Sequence, residues 1–303
     1  MTIPKKAVTV ILLRGKGPEG FEAFLLKRHE KSSFMGGNYV FPGGRVDRND
    51  AAPEIVPFCK GLTPEESRQI LGNLLSPDES FAHWVAGIRE LFEEAGVLFA
   101  KDQRGNAFLL KDSTEQERFF QYRNLLQKDK LTLGQLAQEE KLQFSLDELQ
   151  YYAHWITPEA RPERFDTRFF LARHPSGQEA NSDQKETTTG AWLTPKEALE
   201  RNLKGTIVLS PPTLKTLEDL SRFNNIDEIF HSLKKNAIHP ILSILTKMSD
   251  ESFIILPWDP EYDIFKKGEF PKWINHGRPS RPNDNTTRLL LKEGRWFPYC
   301  RIE

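Results

Sequence analysis

Cysteine is nearly absent. Cys59 and Cys300 are the only two among 303 residues, which excludes a disulfide framework and any CxxC redox or metal motif. Charge of one sign is lacking too. Lys+Arg 42 against Asp+Glu 43 leaves a net charge of -1, so the chain is not one whose main work is coating nucleic acid. Long apolar runs are missing: residues 7–13 fall far short of the ~20 needed for a membrane span. A signal peptide is not expected either, because Gly15-Lys16-Gly17-Pro18 makes a poor cleavage site, and Arg301-Ile302-Glu303 is no peroxisomal address. The expectation is a soluble, cytoplasmic protein that needs no nucleic acid and no membrane. Aromatic residues are plentiful, with 21 Phe, 6 Trp and 6 Tyr, so a sizeable core is expected.

Local signals order the elements. Residues 8–13 and 23–27 read as strands joined by the loop 15–20, and 39–41 is a third strand running into Pro42-Gly43-Gly44. Thr63-Pro64-Glu65-Glu66 and Ser76-Pro77-Asp78-Glu79 are capping boxes with Pro at the first helical position. The first opens a helix over 64–75; the second predicts one running to Ala95 and stopped by Gly96. Residues 112–150 carry helical spacing, whereas 151–156, 165–172 and 191–193 read as strands. Helices are expected from Thr194 and over 214–223 and 227–235. A strand at 253–256 and a hairpin over 286–299, turning at Glu293-Gly294, follow. This irregular alternation predicts an α+β fold or a layered α/β/α sandwich, with a boundary near 209.

The chemistry concentrates in Arg89-Glu90-Leu91-Phe92-Glu93-Glu94-Ala95-Gly96-Val97. Glu90, Glu93 and Glu94 stand at i, i+3 and i+4, so three carboxylates share one helix face. Like charges at this spacing repel, and the last turn of a helix favours cations. One explanation is a solvated acidic patch. The other is a divalent cation, which would turn the repulsion into attraction. The seven histidines form no HxxH or HExxH cluster, and His83 stands alone on the same helix, reading as a satisfied or exposed histidine and not as a zinc ligand. No P-loop and no Gly-x-Ser-x-Gly occur, and a serine hydrolase, a P-loop ATPase and a Rossmann dehydrogenase are unsupported. Trp258, Trp273 and Trp296 read as core or dimer-contact residues.

Arg-Glu-apolar-x-Glu-Glu-x-Gly-apolar resembles the helical half of the Nudix box, and Phe41-Pro42-Gly43-Gly44 looks like its loop half. The usual box places Glu six residues after the glycine and Arg eight residues further on. Here Asp50 holds the Glu position and 38 residues, instead of 7, separate it from Arg89, so about 31 residues interrupt the box. Such an interruption resembles the peroxisomal coenzyme A diphosphatase branch and its bacterial relatives. Lys27-Arg28-His29, Phe34-Met35-Gly36-Gly37, Trp155-Ile156-Thr157-Pro158-Glu159, 164–170 and Trp192-Leu193-Thr194-Pro195 agree with it.

The resemblance implies a Nudix-like α/β/α sandwich with a mixed sheet over 1–209, a helical insertion at about 51–80 and a C-terminal helical and β extension over 210–303. It implies an enzyme that hydrolyses a nucleoside diphosphate derivative with Mg²⁺ or Mn²⁺, most specifically coenzyme A or acyl-coenzyme A, and homodimers are common in the family. By the same resemblance Glu90, Glu93 and Glu94 are metal ligands, Glu90 serving as ligand or base, and Arg89 orients a glutamate. Glu186, six residues before Trp192, is either a further catalytic glutamate or a solvated loop charge. Arg28, Arg164 and Arg168, with Gly43 and Gly44, are candidates for substrate binding, the two later arginines alternatively serving as ion-pair partners. ADP-ribose, NADH, a nucleotide sugar or a dinucleoside polyphosphate stand as alternative substrates, and a non-catalytic nucleotide-binding module as the alternative class.

Overall fold

Strand β1 (Lys5–Gly15) is apolar on both faces, as a strand at the centre of a sheet must be. Val8, Val10 and Leu12 join one core cluster, while Ile11 and Leu13 join a second on the other side. The computed structural model describes residues 2–17, 20–32, 35–233, 237–248, 250–268, 277–280 and 284–300. Around β1 are arranged β2 (Phe21–Arg28), β3 (Tyr39–Val40), β7 (Gln150–Ile156), β8 (Phe165–Arg173), β9 (Thr187–Leu193) and β10 (Pro240–Leu242). Their order is β10-β7-β8-β1-β2-β3, with β9 also paired to β2. The sheet is mixed: β1 runs parallel to β8 and antiparallel to β2.

Loop 15–20 spells a Gly-x-Gly-x-x-Gly string, but it connects two antiparallel strands. A dinucleotide fingerprint needs a strand leading into a helix, so the string carries no such function.

Between β3 and β7 come β4 (Cys59–Lys60), α1 (Pro64–Ile70), α2 (Pro77–Ala95), β5 (Ala100–Lys101), α3 (Ser113–Leu126), α4 (Leu133–Glu140) and β6 (Gln143–Ser145). Helix α2 matches its sequence signals: Ser76 accepts from the Glu79 N–H, and Gly96 ends the helix at φ 73°. Helix α1 is shorter than the expected 64–75. The helical pattern expected over 112–150 is broken between α3 and α4 and again after α4, where Lys141 takes a left-handed conformation at φ 55° and Phe144 enters the core from β6. Three alternating residues are too few for a period of 2 to stand out. The interrupting segment is itself built into the core, since β4 pairs with β6 and Ile55, Cys59 and Leu71 pack in the cluster around α2.

The opposite face of the large sheet is covered by α5 (Pro195–Lys204), α6 (Pro211–Leu220) and α7 (Ile226–Leu233). Beyond them β11 (Ile244–Met248), β12 (Glu251–Ile255), β13 (Arg278–Pro279), β14 (Arg288–Lys292) and β15 (Arg295–Cys300) form a second sheet beside α8 (Tyr262–Lys266). The β14–β15 hairpin turns at Glu293-Gly294, both at positive φ, as expected of a two-residue connection. Ile254, Leu256, Leu289 and Trp296 of this sheet lie in the same cluster as Ile11, Leu25 and Leu171. Trp258 donates to the Thr286 carbonyl at 2.8 Å; Trp273, like residues 234–235 of the expected helix, lies outside the described residues. Among the described residues, no helix is long and apolar enough to cross a membrane.

The solitary histidine of α2 is fully buried. His83 Nδ1 lies 2.7 Å from the Glu79 carbonyl, while Nε2 has no hydrogen-bond partner among the described residues. Burial first, and the Arg168 cation second, push its pKa down from 6.5 to about 4. The unfolded chain therefore binds this proton first. The contribution is intact above pH 6.5 and is lost as the pH falls toward 4, with a limit of about 3 kcal/mol. Replacing His83 by Leu should flatten that part of the stability profile in urea titrations. Parallel profiles for both proteins between pH 7 and 4 would rule the effect out.

Candidate active site

Four acidic side chains meet where α2 passes the Gly43-Gly44 turn. Glu90, Glu93, Glu94 and Asp50 are all buried, at 8%, 9%, 4% and 2% exposure. Arg89 stands among them. Its Nε and Nη2 bind the two oxygens of Asp50, each at 2.9 Å, and its Nη1 reaches Glu90 at 2.9 Å and Glu93 at 3.2 Å. Nη2 also donates to the Arg45 carbonyl at 2.8 Å. Burial works against the guanidinium charge, but Glu90, Asp50 and Glu93 outweigh it and hold the pKa above its ordinary value.

Glu94 is held differently. The Gly43 N–H donates to its Oε2 at 2.8 Å. Both glycines are required sterically. A Cβ on Gly44 would overlap the Glu90 carboxylate, and one on Gly43 would run into the Val8 carbonyl and the Thr9 Cα. The turn is anchored to β1 by Val8 N–H to the Gly44 carbonyl at 2.9 Å and Val10 N–H to the Pro42 carbonyl at 2.8 Å.

Burial leaves the carboxylates short of positive charge. It is the main cause raising all four pKa values, Glu93 to about 7 and Glu90 and Glu94 well above the usual carboxylate range, with neighbouring like charges adding to it at Glu90 and Glu94. Arg89 offsets part of this at Glu90 and Glu93, while Arg28 offsets part at Glu94. Among the described residues no group of three or more His, Cys, Asp or Glu is drawn together as a ready-made metal cage. The carboxylate oxygens are taken up by Arg89 and by the Gly43 N–H instead. Hard oxygen donors on one helix face, with too little countercharge, nevertheless suit a divalent cation in chemical type.

The comparisons with known proteins follow this geometry. The model of the NUDT19 Nudix domain matches residues 4–222. The chain belongs to this family of Nudix hydrolases. It is similar to acyl-coenzyme A diphosphatase NUDT19 of Gallus gallus, 27% identical over 341 residues, covering 97% of this chain and 87% of the relative. The Xenopus laevis protein of the same name is 28% identical over 273 residues, covering 80% and 71%. A crystal structure of a NUDIX hydrolase from Alicyclobacillus acidocaldarius superimposes with a TM-score of 0.64 at 25% identity, covering 79% of this chain and 100% of that one.

Other residues singled out from the sequence divide into two groups. Arg28 ends β2 and its charge acts on Glu94; its buried Nε has no hydrogen-bond partner among the described residues. Glu186 is exposed on the loop before β9, and its charge is felt by both Glu93 and Glu94. The structure therefore brings Gly43, Gly44, Arg89, Glu90, Glu93 and Glu94 into contact, and the charges of Arg28 and Glu186 act on that cluster. Arg164 and Arg168 have other partners. Arg164 donates to the carbonyls of Thr157 at 3.1 Å and Thr2 at 2.8 Å. Arg168, 3% exposed, pairs with Asp166, which also binds His154 at 2.5 Å. A cavity of about 320 Å³ lined by Lys27, Tyr39, Ile207 and Gly294 shares none of the four carboxylates.

Asp50 was visible in the sequence only as the shorter carboxylate at the Glu position of the loop. The structure gives it the bidentate pair with Arg89. Removing it deprives a buried guanidinium of its bidentate partner, so Asp50→Ala should lose about 3 kcal/mol of stability, read from the urea midpoint. An unchanged midpoint would show that the pair contributes nothing. Gly44→Ala should cost turnover at least about tenfold, because Glu90 must move aside, while the melting temperature shifts little. Wild-type turnover in that variant would mean the close approach is dispensable.

Proposed function

We propose that the chain is a coenzyme A and acyl-coenzyme A diphosphatase, which cuts the diphosphate to release 3′,5′-ADP and 4′-phosphopantetheine or its acyl form. The observation that carries this reading is the reach of the likeness. Relatives named acyl-coenzyme A diphosphatase align over up to 97% of the chain, well beyond the matched Nudix domain. The buried carboxylate cluster supplies the chemistry such a reaction requires.

A diphosphate carries its negative charge on the oxygens around the phosphorus under attack, so positive charge must be gathered there. Glu90, Glu93 and Glu94 would hold Mg²⁺ or Mn²⁺. When bound, the cation would neutralise the diphosphate and make a nearby water more acidic. Arg28, whose Nε has no hydrogen-bond partner among the described residues, is suited to grip a phosphate oxygen. Gly43 and Gly44 let the β1 edge and α2 approach closely enough to fix Glu94 and Glu90. Arg89, held on one side by Asp50, keeps Glu90 and Glu93 oriented toward the site. Glu186 lies on the open side with its side chain in solvent, suited to take the proton of the attacking water.

Turnover with Mg²⁺ should be highest for coenzyme A and acetyl-coenzyme A in a panel that also holds ADP-ribose, NADH and diadenosine polyphosphates. Preference for another member would keep the hydrolase and remove the substrate assignment. Glu93→Gln and Glu94→Gln should each lower turnover by about a hundredfold or more without altering the circular dichroism spectrum. Near-normal turnover in either variant would end its assignment as a metal ligand.

A further inference from the structure

The last turn of α3 touches both halves of the site without belonging to either. Arg123 Nε donates to the Glu93 carbonyl at 2.6 Å, and its Nη2 to the Asn181 carbonyl at 3.0 Å. Gln127, which caps α3, donates its Nε2 to the same Glu93 carbonyl at 2.9 Å and to Asp183 Oδ2 at 2.9 Å. The Glu93 carbonyl lies in the final turn of α2, where carbonyls have no donor within the helix. The donors from α3 replace it and fix the main chain of Glu93.

Asp183 is the organising residue of the loop that ends in Glu186. Its carboxylate accepts from the N–H groups of Lys185 at 3.2 Å, Glu186 at 3.1 Å and Thr187 at 2.9 Å, and from Thr187 Oγ1 at 2.7 Å. The Glu186 carbonyl accepts from the His29 N–H at 2.9 Å. Its main chain is thus held on both sides, whereas the side chain is exposed. Gln127 closes the circuit. Its Oε1 accepts from Lys185 Nζ at 2.9 Å, which fixes the sense of the amide. The two hydrogens of Nε2 then serve the Glu93 carbonyl and Asp183, one each.

We propose that Gln127 is a positioning residue: its amide nitrogen ties the helix bearing Glu93 and Glu94 to Asp183, which organises the loop bearing Glu186, beyond the point where Arg123 and the Asn181 N–H already join helix and loop. The inference rests on the reading of Glu186 as the proton acceptor. Gln127 touches neither substrate nor metal in this role. It acts on where Glu186 stands relative to the diphosphate, so its loss should affect kcat and leave KM nearly alone.

The test uses the full chain with Mg²⁺ and coenzyme A, comparing Gln127→Met, Glu186→Gln and the double variant. Met keeps the length of the side chain and removes both donors. The expected outcome is a fall in kcat of about tenfold or more for Gln127→Met, with KM within about twofold, a loss typical of a misplaced acid–base group. In the Glu186→Gln background the same change should do little further, because Arg123 Nε still holds the Glu93 carbonyl and only the tie to the Glu186 loop is lost. Equal losses in both backgrounds would make Gln127 merely structural and overturn the proposal. Loss of kcat in Glu186→Gln with wild-type kcat in Gln127→Met would overturn the latch alone. Full turnover in Glu186→Gln would overturn both the proton acceptor and the latch. If Gln127→Met melts early, Lys185→Met frees the amide from the exposed side and should lower kcat by about threefold at unchanged KM; no change there also counts against the latch.

Discussion

One guanidinium holds the carboxylate corner together. Arg89 is bound by Asp50, Glu90 and Glu93 at once, and all of them are buried. A helix face with carboxylates at i, i+3 and i+4 would otherwise repel itself in its most electronegative turn. Asp50 neutralises part of the Arg89 charge and aims its planar fork, and the remaining edge of the fork faces the glutamates. Glycines in the neighbouring turn complete the arrangement by yielding space. Each of these residues makes sense only through the others.

Helix α2 was legible because its signals are local and mutually consistent: a serine cap, a proline at the first position, a glycine at the last. The three glutamates were legible for the opposite reason, since they break a local rule. Asp50 was half legible. The count from Gly44 marked its position, but a gap of 38 residues concealed its partner. Arg123 and Gln127 left no signal, because a donor to a main-chain carbonyl can be any long polar residue on any nearby helix. The same limit explains β6, too short to show a period, and the partners of Arg164 and Arg168, which depend on strand pairing across the sheet.

The C-terminal sheet shows how far the core extends. Arg288 is fully buried and binds Asp259 at 2.7 Å together with Glu261. Such an ionic triad is tolerable only where each charge is matched and dry. Nearby, Lys215 of α6 pairs with Glu218 at 3.1 Å and lies 5.5 Å from the Trp258 ring. Apolar residues of this sheet share a cluster with β1 and β8, so the last strands pack on the same core as the first.

The Asp50–Arg89 pair closes a loop across 39 positions of sequence. Entropy of closure grows only with the logarithm of loop length, so stretching a short connection fivefold costs about 1.4 kcal/mol. A bidentate charged pair can offset that amount. The chain therefore has a docking port for new sequence immediately beside its chemistry. Segments of differing size could be spliced between Asp50 and α2, provided that β4, Ile55, Cys59 and Leu71 keep their places in the core, while the clasp holds the carboxylate geometry unchanged.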